Sequence, residues 1–328
     1  MLREEIFPLP SAGSEIALQL YRLPLFDLLF RAHSAHRRYH DAQDIQLCYL
    51  LSIKTGGCPE DCGYCSQSAH HDTGIERQPL LTVEEVHSAA ARAKQAGAQR
   101  FCMGAAWRQA PEGRQFNRVL EMVRAVKSLD MEACVTLGML TPRQAEQLKE
   151  AGLDAYNHNL DTSREHYPNI VSTRTYDDRL STLRAARQAG LSLCCGGILG
   201  MGESVEDRCA MLAELAALEP QPESVPINLL MAVPGTPLQD EPPVEVTELV
   251  RTVAVARILM PKSRVRLSAG RVHLSREAQL LALFAGANSI FIGDKLLTTR
   301  NADLSQDEAL LASLRGNVPA DAPVAREA

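Results

Sequence analysis

The sequence predicts an α/β fold: a (βα)8 barrel of the TIM type, with a helical extension before it and a short tail after it. Short β-rich runs recur eight times, and helical patterns of about 11 to 17 residues separate most of them. The dipeptide Ala-Gly closes the helical pattern at Gly97, Gly152, Gly190 and Gly286, where glycine suits the left-handed position that ends a helix. Strands that alternate with helices pair in parallel, and eight such units fit a closed barrel of about 250 residues. A doubly wound open sheet satisfies the same alternation, because closure leaves no mark on a sequence.

Residues 1–41 read as an irregular start followed by a short amphipathic helix around 24–36. The β-rich runs follow at 46–53, 99–106, 132–138, 153–160, 191–200, 224–232, 263–270 and 288–293. Clear helical patterns cover 82–96, 141–151 and 244–260, and the first interval carries a longer loop at 54–80. From Asn301 the pattern weakens, and 317–328 reads as a disordered tail. The expected division is therefore an extension at 1–41, a barrel at 42–300 and a tail at 301–328.

Composition excludes several classes of function. Hydrophobic residues make up 45% of the 328 and charged residues 23%, the balance of a globular protein with a core of its own. Net charge is −6 without a long Lys/Arg run, so no nucleic-acid surface is expected. No apolar run approaches the roughly 20 residues of a membrane span. The first residues are partly acidic and lack a long apolar segment, so neither a signal nor a transit peptide is expected and a cytoplasmic enzyme is the plain expectation. Nine cysteines are then conspicuous, since a chain that buries its own core does not need disulfides. Metal or cluster ligation is the leading use for some, and small buried hydrophobe the use for others.

The strongest local signal is Cys58-Pro-Glu-Asp-Cys62-Gly-Tyr-Cys65, in the loop after the first strand. Gly56, Gly57, Pro59 and Gly63 let that loop fold tightly, so three thiolates can grip one soft metal centre and leave one iron of a cluster open. On spacing alone, zinc with His70 or His71 as a fourth ligand is an alternative, and so is no metal.

Three more cysteines fall inside expected strands: Cys102, Cys134 and Cys194. Side-chain alternation lets Val265 and Leu267 face the helices while Arg266 points into the barrel, and puts Cys134 and Thr136 opposite Val135 and Leu137. A buried arginine needs an anionic partner, which a thiolate-bound cluster would be. Taken singly, each of these cysteines reads better as core filler than as a ligand. Asn157, Asn159 and Asp161 share one face at i, i+2 and i+4, either as an internal hydrogen-bond network or as a ligand site. His158 has the opposite parity and reads as a satisfied core histidine; Trp107 reads as packing at the barrel mouth, and Cys48 and Cys209 as structural.

From Leu50 to Thr299 the chain resembles the biotin synthases of the radical S-adenosylmethionine superfamily, in LLSIKTGGCPEDCGYC, RFCMGAAW, YNHNLDTS, ESVPIN, VRLSAGR and GANSIFIGDKLLTT. The resemblance implies a 4Fe–4S cluster on Cys58, Cys62 and Cys65 that cleaves S-adenosylmethionine to a 5′-deoxyadenosyl radical. It implies a 2Fe–2S cluster on Cys102, Cys134, Cys194 and Arg266 that donates sulfur to dethiobiotin, with Cys195 on the wrong strand face. It gives Asp161 to the ribose hydroxyls, Asn159 to a position touching both ligands, and Asn157 and Asn228 to the ureido ring. Arg179 matches an arginine that pairs with the methionine carboxylate, although a surface arginine is the other reading. Gly104 and Ala105 fall near the methionine amine, and Tyr64 near the adenine. Ile198 belongs to Gly196-x-Ile198-x-Gly200-x-x-Glu203, which packs near the adenine in the superfamily. The implied partners are an electron donor such as flavodoxin or ferredoxin, iron–sulfur assembly proteins and a second copy of the chain. Another radical enzyme of the same barrel type, or a non-catalytic iron–sulfur or zinc protein, are the alternative functions.

Overall fold

The computed structural model describes residues 13–41 and 43–314. Two helices, α1 (Ser14–Tyr21) and α2 (Leu25–Tyr39), precede β1 (Gln46–Lys54). The chain continues through α3 (Val83–Gln95), β2 (Arg100–Ala105), α4 (Arg114–Lys127), β3 (Glu132–Thr136), α5 (Pro142–Glu150) and β4 (Ala155–Asn157). Next come α6 (Tyr176–Gln188), β5 (Ser192–Cys194), β6 (Gly197–Leu199), α7 (Val205–Ala217), β7 (Ser224–Leu229) and α8 (Val246–Leu259). The last turn of the barrel is β8 (Arg264–Leu267), α9 (Arg276–Phe284) and β9 (Ser289–Ile292). A small hairpin, β10 (Lys295–Leu296) and β11 (Thr299–Arg300), and a final helix, α10 (Leu304–Leu314), follow.

Local chemistry explains where the helices start and stop. α3, α5, α6 and α7 each open on a capping box: Thr82 with Glu85, Thr141 with Gln144, Thr175 with Asp178 and Ser204 with Asp207. In each, a hydroxyl and the third helical side chain satisfy one another's orphan backbone N–H. The expected glycines close the helices: Gly97, Gly152, Gly190 and Gly286 all have positive φ, from +76° to +117°.

The strands pair in parallel in the order β5-β4-β3-β2-β1-β9-β8-β7-β6, and an additional β5–β7 pairing at Cys194 and Ser224 closes the sheet. The result is an eight-position barrel ringed by helices, as the alternation predicts, and the open-sheet alternative is excluded. One position differs from expectation. The single strand read over 191–200 is broken into β5 and β6 at Cys195–Gly196. A Cβ on Gly196 would stand 1.9 Å from the Pro226 carbonyl oxygen, so the backbone passes where no side chain fits. Leu160 and Asp161 N–H groups donate to the freed Gly196 carbonyl, at 3.0 and 3.2 Å.

Most of the apolar core lies between strands and helices, with Val265, Leu267, Val135 and Leu137 on that outer face. A second, smaller cluster fills the barrel interior. The extension is two helices rather than one. α1 buries Ala17, Leu20 and Tyr21 and contacts α7 and α8, and α2 contacts α8. α10 occupies part of the stretch read as a tail and is tied down by a buried Arg271–Asp307 ion pair at 2.6 Å. Residues 317–328, expected to be disordered, lie outside the described residues. Among the described residues no helix is long and apolar enough to cross a membrane.

Candidate active site

The cysteine loop leaves the carboxyl end of β1 and is built on its own backbone. Cys58 N–H donates to the Gln67 carbonyl at 2.9 Å and Ala69 N–H to the Cys58 carbonyl at 2.7 Å, while Cys65 N–H reaches the Cys62 carbonyl at 2.9 Å. Two acidic residues inside the motif anchor it to the rest of the barrel. Glu60 is buried and ion-paired with Arg174 at 3.3 Å and Arg108 at 3.4 Å. Asp61 accepts from the N–H groups of Ser172 and Thr173 at 3.0 and 3.1 Å. Burial alone would raise the Asp61 pKa, but the donors on Ser172 and Thr173 outweigh it and hold the carboxyl well below the usual range. Both histidines weighed as zinc ligands are occupied: His70 Nε2 meets the Pro59 carbonyl at 3.1 Å and His71 Nε2 the Cys62 carbonyl at 3.0 Å.

Burial pushes the Cys62 thiol up to about 12 and the Cys65 thiol up to about 11, and also raises Cys58. Binding of a metal there would exchange the thiol protons for it.

One cavity of about 330 Å3 joins this loop to the barrel interior. Cys58, Cys62 and Cys65 line it from the loop, and Cys102, Cys134 and Cys194 from within the strands. Between them stand Asn157, Asn159, Asp161 and Asn228. Tyr64 Oη donates to Asp161 Oδ2 at 2.8 Å, and the Arg179 Nη2 pairs with the same oxygen. Arg179 is buried, not a surface residue: its Nη1 donates to the Asn159 carbonyl and its Nε to Tyr167 Oη, both at 2.7 Å. Asp161 itself holds φ at +69°, an uncommon conformation for a residue other than glycine. Gly104, Ala105 and Ile198 border the same space. The turn after Ile198 is held by Glu203, which accepts from Gly200 N–H at 2.9 Å and Met201 N–H at 2.7 Å.

The amides are oriented rather than merely packed. Thr136 Oγ1 donates to Asn157 Oδ1 at 2.9 Å, and Asn157 Nδ2 lies 3.2 Å from Cys194 Sγ. Asn228 donates from Nδ2 to the Gly197 carbonyl at 3.0 Å and accepts at Oδ1 from Ala269 N–H at 3.2 Å. That leaves one N–H and one lone pair on Asn228 for a ligand. His158 is buried and kept neutral, first by burial and then by Arg179 and Arg174. It is not satisfied as expected, because Nε2 has no hydrogen-bond partner among the described residues.

Deeper in the barrel, Cys102, Cys134 and Cys194 form one packed group, while Cys195 faces the outer core. A hydrogen bond from Cys134 outweighs burial and lowers the Cys102 and Cys194 thiols, helped by Arg266 and Arg100. Arg266 is buried, with Nη1 3.5 Å from Cys194 Sγ, Nε donating to Ser289 Oγ at 3.0 Å, and its guanidinium 4.8 Å from the Phe291 ring centre. Its Nη2 has no partner among the described residues. Soft thiols beside an unsatisfied buried guanidinium are a donor set that an anionic iron–sulfur group would complete. The residues present therefore fit such a group. Among the described residues, no three His, Cys, Asp or Glu side chains are placed to hold one metal ion.

Sequence reasoning did not find Glu60, Arg174, Arg100 or the hairpin residues Leu296, Leu297, Thr298 and Thr299, which also border the cavity or its thiols. Parity could have found Arg100, two residues before Cys102 on one strand face. The hairpin carries no such signal; it joins the site through a Ser66–Thr298 hydroxyl contact of 2.8 Å.

The Radical SAM superfamily matches residues 52–215, and the Biotin and Thiamin Synthesis associated domain matches residues 226–315. Biotin synthase of Sorangium cellulosum is 60% identical over 312 residues, covering 94% of this chain and 89% of that one. Biotin synthase of Methylobacterium sp. strain 4-46 is 64% identical over 302 residues, covering 92% and 91%. Among solved structures, methylornithine synthase superposes with a TM-score of 0.77 at 20% identity, covering 94% of each chain. The FeFe-hydrogenase maturase HydG from Carboxydothermus hydrogenoformans gives 0.78 at 18%, covering 92% of this chain and 74% of its own. These distant structures share the fold; the identity of most of the chain with the curated relatives decides the family. The chain belongs to the biotin synthase family of the radical S-adenosylmethionine superfamily.

Proposed function

We propose that this protein converts dethiobiotin to biotin by radical sulfur insertion, with a 4Fe–4S cluster on Cys58, Cys62 and Cys65. The sulfur donor in this reading is a 2Fe–2S cluster on Cys102, Cys134, Cys194 and Arg266. The carrying observation is that two thiol triads border one cavity, the deeper beside a buried guanidinium nitrogen with no hydrogen-bond partner among the described residues. When bound, the reduced 4Fe–4S cluster with S-adenosylmethionine supplies a carbon radical, and the 2Fe–2S cluster supplies sulfide.

The chain's own residues bind, orient and exclude. Asp161, fixed by Tyr64 and Arg179, presents a carboxylate to the ribose hydroxyls. Arg179 supplies the positive charge for the methionine carboxylate, Ile198 packs against the adenine, and Gly104 and Ala105 leave room for the methionine amine. Asn157 and Asn228 take the ureido ring and Asn159 touches both ligands; the spare N–H and lone pair on Asn228 match a group that both donates and accepts. The closed barrel keeps water and oxygen from the radical. An electron donor such as flavodoxin or ferredoxin, iron–sulfur assembly proteins, a cytoplasmic location and a homodimer belong to the same proposal. So does the division into an extension at 1–41, a barrel at 42–300 and a tail at 301–328.

Anaerobic assays of two variants test the reading. Cys62→Ala should abolish cleavage of S-adenosylmethionine, whereas Cys134→Ala should retain cleavage and make no biotin. Normal biotin formation by Cys134→Ala would remove the sulfur-donor assignment.

A further inference from the structure

Cys48 was expected to be a structural residue, yet it stands in the chamber of the three strand cysteines. It is fully buried on β1 and packs in one cluster with Cys102, Cys134, Cys194 and Phe291. Strand register explains the placement: Cys48 pairs with Arg100 on β2 and with Phe291 on β9. Its Sγ lies 3.5 Å from Ser289 Oγ, and that same hydroxyl accepts from Arg266 Nε at 3.0 Å. One hydroxyl therefore separates Cys48 from Arg266. The thiol's contact with Gln46 Oε1 is long, at 3.6 Å. Two guanidinium nitrogens of this chamber, Arg266 Nη2 and Arg100 Nη1, are buried without a hydrogen-bond partner among the described residues. The chamber thus holds one thiol more than the proposed ligand set uses, and a second guanidinium, Arg100, which is paired through Nε with Glu132 at 2.8 Å.

We propose that Cys48 is a fourth thiol of the sulfur-donor cluster site, placed to ligate iron when Arg266 does not. The inference rests on the reading that Cys102, Cys134 and Cys194 hold a cluster. Thiolate is the softer and more usual ligand of iron–sulfur clusters. With Arg266 in place the Ser289 hydroxyl stands between it and Cys48, and once the Arg266 side chain is gone the thiolate can take its place. On a strand a cysteine has two common χ1 wells, so Sγ can swing without backbone movement. Ligation costs Cys48 its thiol proton and involves no change in oxidation state. If Cys48 is only core filler, its removal leaves the cluster as it was.

The test compares Arg266→Met with Arg266→Met/Cys48→Ala after anaerobic reconstitution, by iron and sulfide content and by Mössbauer and spin-resonance spectra. The single variant should keep its 2Fe–2S cluster, now with both irons in all-sulfur coordination. The double variant should lose about two irons per chain while keeping the 4Fe–4S absorption and its circular dichroism. Equal iron content and equal spectra in the two, with the cluster kept or lost in both, would overturn the proposal. If Arg266→Met does not fold, the same pair built on Arg266→Lys gives the comparison. A wild-type chain that assembles only about four irons would instead overturn the underlying reading, before any substitution is made.

Discussion

In the proposed function, Asp161 is the residue on which the cofactor side of the site turns. It is buried, held in a left-handed backbone conformation, and contacted by Tyr64 and Arg179 together. Replacing its charge by an amide of the same shape removes a charge-assisted hydrogen bond, a loss of about 1.5–3 kcal/mol. Asp161→Asn should therefore weaken S-adenosylmethionine binding about ten- to hundredfold with the 4Fe–4S absorption unchanged, as read by equilibrium binding to the reconstituted protein. Unchanged affinity would take Asp161 out of the cofactor site. Much of the site at this scale was legible. The spacing of Cys58, Cys62 and Cys65 needs no structure to be read. Alternation lets only one of Cys194 and Cys195 face inward, and the family resemblance favoured Cys194, which does pack with Cys102 and Cys134. The burial of Arg179 was not legible, because its partners Tyr167 and Asn159 come together only through the loop after β4. Cys48 escaped for a similar reason, since it meets the other thiols only across the sheet register.

Helix ends were read well where a side chain speaks for them, as at Thr82 and Thr141. The break between β5 and β6 was not legible, since its cause is the Pro226 carbonyl on another strand. Nor was α1, a helix of eight residues whose stability comes from packing on α7 and α8. The neighbouring helix, α2, makes a prediction of its own. It stacks His36 on His40 with ring centres 5.4 Å apart, beside the buried Arg257. Burial, then Arg257, lowers the His36 pKa to about 3, and the same causes lower His40 to about 4. The unfolded chain takes up these protons near pH 6.5, whereas the folded chain resists them until far lower pH. Stability from neutral His36 is complete above about pH 7 and is lost as pH falls toward 3, by about 2 kcal/mol at pH 5. The drop in thermal midpoint between pH 7.5 and pH 5 should be smaller in His36→Gln than in wild type. Equal drops would mean that His36 is protonated in the folded chain.

At the scale of the whole molecule, closure of the barrel is what brings the parts together. The alternation of strands and helices left an open sheet possible, and the pairing of Cys194 with Ser224 excludes it. The barrel also needs β1 beside β9, with Gln46 paired to Ser289, and these strands are so distant in sequence that periodicity could not reveal the closure, whereas the family's motifs could suggest it. Closure places a loop triad and a strand triad of thiols on one cavity, with the amides and the Asp161 carboxylate between them. The comparison that tests this two-cluster account most directly is iron and acid-labile sulfide per chain, with spectra, for wild type and Cys134→Ala after anaerobic reconstitution. The account predicts about six irons in 4Fe–4S and 2Fe–2S form for wild type, and about four in the variant. About four irons of a single cluster type in both chains would contradict it, leaving the radical source in place but removing the proposed source of sulfur.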